Sequence, residues 1–329
     1  MPISLQDSLD KHTGLYKRLE KVIPQKVWQE FVEDIEAIQK LKKEKNAVIL
    51  AHNYMTPEIF HGVADIVGDS LALAREAAKM ESEVIVMAGV QFMAETVKLL
   101  NPDSVVLIPD PTAGCSLAES ITPEEVRALR KKYPDVPVVT YVNTSAAVKA
   151  ECDICCTSGN AKKIVESLGV PEVIMVPDEF LALNVATNTD VKIIPWRGRC
   201  EVHEKFAADD VQQMRQENPN LSVIAHPECS PEVVAQADFS GSTVGMSEWV
   251  AKKKPGKVML LTEASMSDNL SVDQRGTAFF GPALACPHMK KITLKKIREV
   301  LETGVHQVEI PHEIMASARR AVERMIEAS

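Results

Sequence analysis

The sequence lacks the features that mark export, membrane insertion or nucleic-acid binding. No stretch of the 329 residues approaches the roughly 18 consecutive apolar residues of a spanning helix, and the N-terminal segment has no apolar core of signal-peptide length. Lysine and arginine number 37 against 46 acidic residues, for a net charge of −9. The short basic run at 252–257 is typical of a solvated helix end. We expect a cytoplasmic protein with no membrane or nucleic-acid partner.

The seven cysteines do not form a pattern typical of a disulfide framework, because their number is odd and no export signal accompanies them. Three of them, Cys115, Cys200 and Cys286, recur at a near-constant period, since 200 − 115 = 85 and 286 − 200 = 86. One thiol in each of three similar units predicts a pseudo-threefold arrangement with the sulfurs directed to one centre. Three thiolates at one centre indicate a zinc or iron–sulfur site with an open coordination position.

The residues alone leave both metals open. They favour the cluster, because zinc ligands usually come in pairs close in sequence and these three come from distant loops. The segment CDICC, with Cys152, Cys155 and Cys156, contains a C-x-x-C, but no second pair stands nearby. We interpret these three as packing cysteines in a helix that leads to a hydroxyl residue, and Cys229 as structural.

The apolar pattern predicts an α/β fold. Residues 1–45 have helical spacing and form an N-terminal extension, and afterwards short β-branched runs alternate with helical segments, as in parallel sheets. Three segments, from Val48, Pro137 and Leu221, can be overlaid. Each repeat can be cut before or after the strand that leads to its cysteine. The cut before it leaves no orphan strand, and it predicts one domain from 46–104 plus 278–329, a second at 105–190 and a third at 191–277.

Matching polar positions follow the first strand of each repeat. Each strand ends in a polar pair: His52 and Tyr54, Tyr141 and Asn143, His226 and Glu228. A hydroxyl residue at a predicted helix start follows 17 or 18 positions later: Ser70, Ser158 and Thr243. Ligands bind beyond the carboxyl ends of parallel strands, and helix starts suit carboxylates or phosphates. Simple helix capping is the alternative for each hydroxyl.

His226 and Glu228 are predicted to share one face, so they would serve as a general base and its orienting or proton-relaying partner. Tyr54 and Tyr141, at strand ends, are candidates for substrate contact. Four other histidines stay unassigned: His61, His203, His288 and His306.

Several motifs together resemble the quinolinate synthase family, of the type that depends on a [4Fe–4S] cluster. They are AHNYMTPEI, VADIVGDSLALAREA, PTAGCSLAE, TYVNTSAAVKAECDICCTSGNA, WRGRCEVHE, AHPECSPEVV, FSGSTVGM and CPHMKKITL, spread over about residues 46–300. The resemblance implies three similar three-layer α/β/α domains around a pseudo-threefold axis. It also implies condensation of iminoaspartate with dihydroxyacetone phosphate to quinolinate in NAD biosynthesis, with loss of phosphate and two waters.

The same resemblance implies roles for particular residues. Cys115, Cys200 and Cys286 would hold the cluster, whose open iron would act as a Lewis acid. Tyr54 and Glu228 would transfer protons. The substrate-binding set would be His52, Ser70, Tyr141, Asn143, Ser158, His226, Glu228 and Thr243. The enzyme that produces iminoaspartate is an expected partner.

Two other functions are compatible with three convergent thiols. One is a radical enzyme of the diphthamide type that cleaves S-adenosylmethionine, and the other is a non-enzymatic iron–sulfur sensor. The acid–base groups at the strand ends favour the condensation over the radical reaction. The acidic composition offers no basic surface for a sensor's partner.

Overall fold

The computed structural model describes residues 5–329, with side chains described from residue 8. It begins with three helices, α1 (Leu5–Lys11), α2 (Thr13–Leu19) and α3 (Gln25–Glu44). Ile35 and Ile38 of α3 are fully buried, in keeping with the helical spacing of the apolar residues.

Within the described residues, twelve strands form three four-stranded sheets, and all paired strands are parallel. The first sheet contains β1 (Ala47–His52), β2 (Ile66–Gly68), β3 (Val84–Ala88) and β4 (Val105–Leu107). The second contains β5 (Val138–Tyr141), β6 (Ile154–Cys156), β7 (Glu172–Val176) and β8 (Lys192–Pro195). The third contains β9 (Ser222–Ala225), β10 (Phe239–Ser240), β11 (Lys257–Leu261) and β12 (Ala278–Phe280).

All three sheets have the same strand order, in which the first strand lies between the second and the third. The first strands are buried on both faces, as expected where helices cover both sides of a parallel sheet. The predicted α/β class with three similar units is confirmed.

Helices connect the strands within each unit. The first unit has α4 (Pro57–Phe60), α5 (Ser70–Ala77) and α6 (Gln91–Leu100). The second has α7 (Pro123–Lys132), α8 (Ala146–Ala150), α9 (Ala161–Ser167) and α10 (Glu179–Ala186). The third has α11 (Ala208–Glu217), α12 (Pro231–Val234), α13 (Thr243–Lys253) and α14 (Ala264–Asp273). The chain ends with α15 (Leu294–Thr303) and α16 (His312–Glu327).

The strand that leads to each cysteine pairs with the sheet that precedes it. Thus β4 pairs with β3, β8 with β7, and β12 with β11. The predicted domain boundaries assign each of these strands to the next domain. The observed strand pairing instead joins each one to the preceding sheet. The apolar pattern of a short edge strand is the same whichever sheet it joins, and the sequence therefore could not decide this point.

The helix after each cysteine packs on the next sheet, as a repeated set of contacts shows. In each unit an aspartate accepts a hydrogen bond from a backbone N–H of the first strand and pairs with a cation of the preceding helix. The sets are Lys42–Asp65–Ile49 (2.7 and 2.8 Å), Arg130–Asp153–Val138 (2.8 and 2.7 Å) and Arg215–Asp238–Val223 (2.9 and 2.7 Å). After the third cysteine, α15 packs on α3 and β3. Each cysteine therefore lies in a crossover between two units.

The segments predicted as helices before the hydroxyl residues are instead edge strands. They are β2, β6 and β10, each of which pairs with the first strand of its sheet. The aspartate of each repeated set directly precedes its edge strand and fixes it beside the first strand, which favours the extended conformation over a helical turn.

The C-terminal helix α16 packs on α8 and β6 of the second unit and on α6 of the first. Its buried face contains Ala318, Ala321, Val322 and Met325. Among the described residues, no helix combines the length and the apolar character needed to cross a bilayer.

Candidate active site

The carboxyl ends of the three first strands open into one cavity of about 740 Å³, measured out to its mouth. This is the switch point of each parallel sheet, where ligands of such folds bind. All twelve residues predicted from the sequence line this cavity: Cys115, Cys200, Cys286, His52, Tyr54, Ser70, Tyr141, Asn143, Ser158, His226, Glu228 and Thr243. The cavity thus collects side chains from all three units.

The three cysteines have the same local structure. Each is followed three residues later by a short 3₁₀ helix: Ala118–Ser120, His203–Lys205 and Met289–Lys291. In each case the sulfur accepts hydrogen bonds from the backbone N–H groups two and three residues further on. Backbone N–H groups directed at a sulfur stabilise its thiolate form.

Burial works against ionisation of these thiols. It raises the pKa of Cys115 to about 12, and it also raises the pKa of Cys200 and of Cys286. All seven cysteines are free. A buried thiol whose own backbone is arranged to stabilise a thiolate fits a site in which a bound metal supplies the missing positive charge.

The three cysteine loops also contact one another. Glu201 donates its backbone N–H to Ser116 Oγ at 3.1 Å, and its carboxylate lies 3.0 Å from His288 Nε2. Lys291 Nζ donates to the carbonyl of Thr112 at 2.6 Å. These contacts link the first loop to the second, the second to the third, and the third to the first.

His52 and His226 are held in the same way. Nδ1 of His52 accepts the backbone N–H of Tyr54 at 3.1 Å, and Nδ1 of His226 accepts that of Glu228 at 3.3 Å. A backbone N–H can only donate, so each neutral ring carries its proton on Nε2. Burial lowers the pKa of His52 to about 4 and that of His226 to about 3. Both rings are therefore neutral hydrogen-bond donors near neutral pH.

The residues that precede the three predicted hydroxyl residues, and not those residues themselves, form the local capping hydrogen bonds. Asp69 and Ser242 cap α5 and α13 by accepting the N–H of Ala72 and Gly245, and Thr157 Oγ1 accepts the N–H of Gly159. In each case the residue just before the predicted one forms this local bond.

The predicted hydroxyls themselves remain available. In the described part of the chain, Ser70 and Ser158 have no side-chain hydrogen-bond partner, and Thr243 Oγ1 accepts from Asn53 Nδ2 at 2.8 Å. Ser70 and Thr243 are the first residues of their helices. Ser158 differs from the prediction, because it lies in a turn before α9, which begins at Ala161.

A buried carboxylate lies at the centre of the site. Glu228 Oε1 accepts the hydroxyl of Tyr141 at 2.6 Å, and Oε2 lies 2.8 Å from His203 Nδ1. Burial alone would raise its pKa, but His226, His203 and the two hydrogen bonds hold the pKa of Glu228 well below its usual range. Burial and the negative charge of Glu228 raise the pKa of Tyr54 and of Tyr141.

Asn143 is aimed into the cavity without a protein partner for its side-chain oxygen, although that atom is buried. Lys149, which is 0% exposed, donates to the carbonyls of Val142 at 2.8 Å and of Thr144, on either side of it. A buried amide atom without a partner indicates a place where a ligand supplies one.

Within the described residues, no lysine or arginine lines the cavity, whereas four histidines and four acidic residues do. An anionic ligand here would be held by N–H and O–H groups, by helix N-termini and by any bound metal.

Among the lining residues to which the sequence assigned no role are His203, His288 and Glu263. His203 Nδ1 lies 3.1 Å from Cys200 Sγ, and Cys200, His203 and Glu228 form a group with ligand atoms within 4.8 Å of one another. Glu263 accepts the N–H of Cys286 at 3.3 Å and pairs with Lys290 at 2.8 Å. Proximity to a predicted cysteine in the sequence was the one signal that pointed to both histidines.

The other four cysteines lie outside the cavity lining. Cys152, Cys155, Cys156 and Cys229 are buried, and Cys155 and Cys156 belong to the edge strand β6.

Comparison with known proteins shows the family. A family model described as quinolinate synthetase A protein matches residues 36–327. The chain belongs to the quinolinate synthase family. It is 63% identical to quinolinate synthase of Agrobacterium fabrum over 95% of this chain and 91% of the relative. It is 62% identical to quinolinate synthase 1 of Mesorhizobium japonicum over 97% and 98%. It is 64% identical to quinolinate synthase of Xylella fastidiosa over 90% and 87%.

Membership in the quinolinate synthase family confirms the resemblance of the motifs. The members compared are enzymes, and this chain is one. The matched region includes every residue of the cavity.

Proposed function

We propose that this enzyme condenses iminoaspartate with dihydroxyacetone phosphate to form quinolinate, phosphate and two waters. The observation that carries the proposal is the convergence of all twelve predicted residues, from three units, on one cavity. Both substrates are anionic and small. Their oxygens match a cavity lined by N–H and O–H donors at strand ends and helix starts.

The cofactor in this proposal is a [4Fe–4S] cluster held by Cys115, Cys200 and Cys286. Identical 3₁₀ loops present the three thiols, with N–H groups directed at each sulfur. The three thiols come from three distant loops, whereas zinc ligands usually come in pairs close in sequence, and this supports a cluster.

When bound, the cluster would supply a Lewis-acidic iron with an open coordination position. The protein side chains would bind and orient the substrates around it. Neutral His52 and His226 would donate Nε2–H to carboxylate or phosphate oxygens. Ser70, Ser158 and Thr243 would donate hydroxyl hydrogens, and Asn143 would fill its empty hydrogen-bond position with a substrate group.

In this proposal, two residues with different protonation states transfer protons. Glu228 is ionised, because its pKa is held low, so it would accept a proton. Tyr54 is protonated at neutral pH, because its pKa is raised, so it would hold and donate one. His226 would orient the substrate beside Glu228, and Tyr141 would keep the carboxylate in place through their 2.6 Å hydrogen bond.

The radical enzyme and the sensor would use the same thiols, but neither needs the paired acid–base groups at the strand ends. The enzyme that supplies iminoaspartate remains a predicted partner, and the cytoplasm the predicted location.

The decisive test is anaerobic purification with iron and sulfide quantification, followed by assay with freshly generated iminoaspartate and dihydroxyacetone phosphate. We expect about four irons per chain and quinolinate formation. A chain without a cluster, or a fully loaded chain that forms no quinolinate, would contradict the proposal.

The ligand assignment has its own test. Serine at Cys115, Cys200 or Cys286 should remove both the cluster and the activity. The matched control is Cys155→Ala, which should leave the cluster intact because Cys155 lies in β6 outside the cavity lining. Equal loss of iron in all four variants would show that the ligands are assigned wrongly.

A further inference from the structure

The carbonyl groups on either side of Tyr54 are both held by one buried side chain from another unit. Nδ2 of Asn269 donates to the carbonyl oxygen of Asn53 at 3.1 Å and to that of Met55 at 2.8 Å. Asn269 lies on α14 of the third unit and is buried. A carbonyl oxygen can only accept, so both hydrogens of the amide nitrogen are used here. The contact joins the third unit to the loop of the first unit that presents Tyr54 to the cavity.

The loop that presents Glu228 is held in the same way. Nδ2 of Asn184 donates to the carbonyl oxygens of Pro227 and Cys229, at 2.9 Å in each case, and these two residues flank Glu228. Asn184 lies on α10 of the second unit and is also buried. Each asparagine lies five positions after the first residue of its helix, since 269 − 264 = 5 and 184 − 179 = 5. Two equivalent helices therefore supply an equivalent contact.

The third loop breaks this pattern. The equivalent position of α6, in the first unit, is Thr96, since 96 − 91 = 5. Thr96 donates its hydroxyl to the carbonyl of Phe92 in its own helix at 2.8 Å. The carbonyls on either side of Asn143 are held instead by Lys149 of the same unit. Within the described residues, an asparagine from a neighbouring unit thus holds the two loops that present the proposed proton-transferring residues, and not the third.

We propose that Asn269 and Asn184 are positioning residues that fix Tyr54 and Glu228 at the cavity from the neighbouring units. The proposal rests on the function proposed above, because proton transfer gives Tyr54 and Glu228 their task. Neither asparagine lines the cavity, so each acts through the loop that it holds.

The physical reason is that the direction of a side chain follows from the backbone that carries it. Each asparagine holds the backbone on both sides of one residue. Reacting groups must be held within about 0.5 Å of the productive geometry. A loop released on both sides of Tyr54 or Glu228 would therefore slow the chemical step more than it would weaken substrate binding.

Replacement of each asparagine by leucine tests the proposal, because leucine has the same branched arrangement of heavy atoms and no hydrogen-bond donor. We expect Asn269→Leu and Asn184→Leu each to lower kcat by about 10- to 100-fold, with KM for both substrates within about threefold. Iron content and cluster absorbance should match the wild type. The matched control is Thr96→Val, at the equivalent position of α6, which should keep kcat within about threefold. Wild-type kcat in the leucine variants would overturn the proposal, and so would an equal loss in the control.

Threonine provides a second test if a leucine variant does not fold. The chain already has threonine at the equivalent position of α6, where the hydroxyl bonds within the helix. Asn269→Thr and Asn184→Thr should therefore keep the helix and remove the amide that holds the loop. The same fall in kcat is expected, and wild-type kcat in both threonine variants would overturn the proposal.

A double variant tests whether Asn269 acts through Tyr54. Tyr54→Phe removes the hydroxyl that Asn269 is proposed to position. Adding Asn269→Leu to Tyr54→Phe should then slow the enzyme by no more than about a further threefold. Losses that multiply would overturn the proposed action of Asn269 on Tyr54.

Crystal structures of the anaerobic, cluster-loaded variants give a readout that does not depend on activity. In Asn269→Leu, Tyr54 should shift or adopt a second conformer while Glu228 stays in place, and in Asn184→Leu the reverse should hold. Unmoved Tyr54 and Glu228 in these variants would overturn the positioning role. Failure of the wild type to form quinolinate would instead contradict the proposed function, and the two failures are thus distinguishable.

Discussion

Replacement of Lys149 by methionine should weaken both the fold and the site. Lys149 is 0% exposed, and its ammonium donates to the carbonyls of Val142 at 2.8 Å and of Thr144. The same ammonium lies 5.5 Å from the centre of the Phe92 ring. The two carbonyls flank Asn143, so one buried cation holds the loop that presents this residue to the cavity.

The magnitude follows from these contacts. Each carbonyl left without its donor in a buried place costs about 1–3 kcal/mol. Removing the ammonium recovers part of the free energy that its burial costs, a cost also seen in the lowered pKa of Lys149. We expect a net loss of about 2–4 kcal/mol in the free energy of unfolding. At about 2 °C per kcal/mol for a chain of this size, Tm should fall by about 4–8 °C.

Thermal unfolding of the anaerobic protein and steady-state kinetics measure the two effects. The control is Lys162→Met, because the Lys162 side chain is 55% exposed and its ion pair with Glu166 is 3.7 Å long. Such a surface pair is worth less than about 1 kcal/mol. KM should rise for the Lys149 variant alone. Equal Tm values for the two variants, with unchanged KM, would refute the role of Lys149 in holding the loop that presents Asn143.

Three other predictions follow from single contacts. Tyr141→Phe removes the 2.6 Å donor to Glu228, a charge-assisted bond worth about 1.5–3 kcal/mol, so kcat/KM should fall by about 10- to 100-fold in steady-state assays with cluster absorbance unchanged. Asp178 is buried with one oxygen unpaired, and burial and the charge of Glu228 raise its pKa. Because the folded pKa is raised, the free energy of unfolding of the wild type falls as pH rises above about 4. Asp178→Asn should therefore be more stable than the wild type between pH 5 and 8 in urea unfolding. The lowered pKa values of His52 and His226, about 4 and about 3, mean that the unfolded chain binds protons first as pH falls below about 6.5. The free energy of unfolding of the apoprotein should fall by about 2 kcal/mol per histidine between pH 7 and pH 5. In His226→Asn the contribution of one histidine to this fall should be absent. The same pH dependence in the variant and the wild type would contradict this reasoning.

Sequence reasoning found those site residues that the repeat places at equivalent positions. His52 is the last residue of β1 and His226 directly follows β9. The two rings share one hydrogen-bonding pattern, so the repeat in the sequence was enough to predict both. Cys115, Cys200 and Cys286 share one local loop structure for the same reason.

The parts that the sequence could not predict break the repeat or depend on packing. The place of His203 depends on a contact between its cysteine loop and Thr262, the residue after β11, and the equivalent positions of the other two loops hold Ala118 and Met289. Lys149 is the one charged residue of the short helix α8, and a lysine is rarely buried, so its type predicts exposure. Its complete burial arises from neighbouring elements, among them α16, which is more than 160 positions away in the sequence.

The location of each cysteine in a crossover determines when the site can exist. Cys286 lies beyond the last sheet, in the segment that leads to α15, which packs on α3 and β3 of the first unit. A growing chain that ends before Cys286 has two of the three thiols and lacks the segment that returns to the first unit. Loading of a group bound by all three is therefore a late event, which follows the folding of every unit. The free energy of that binding is then also free energy that holds the three units together.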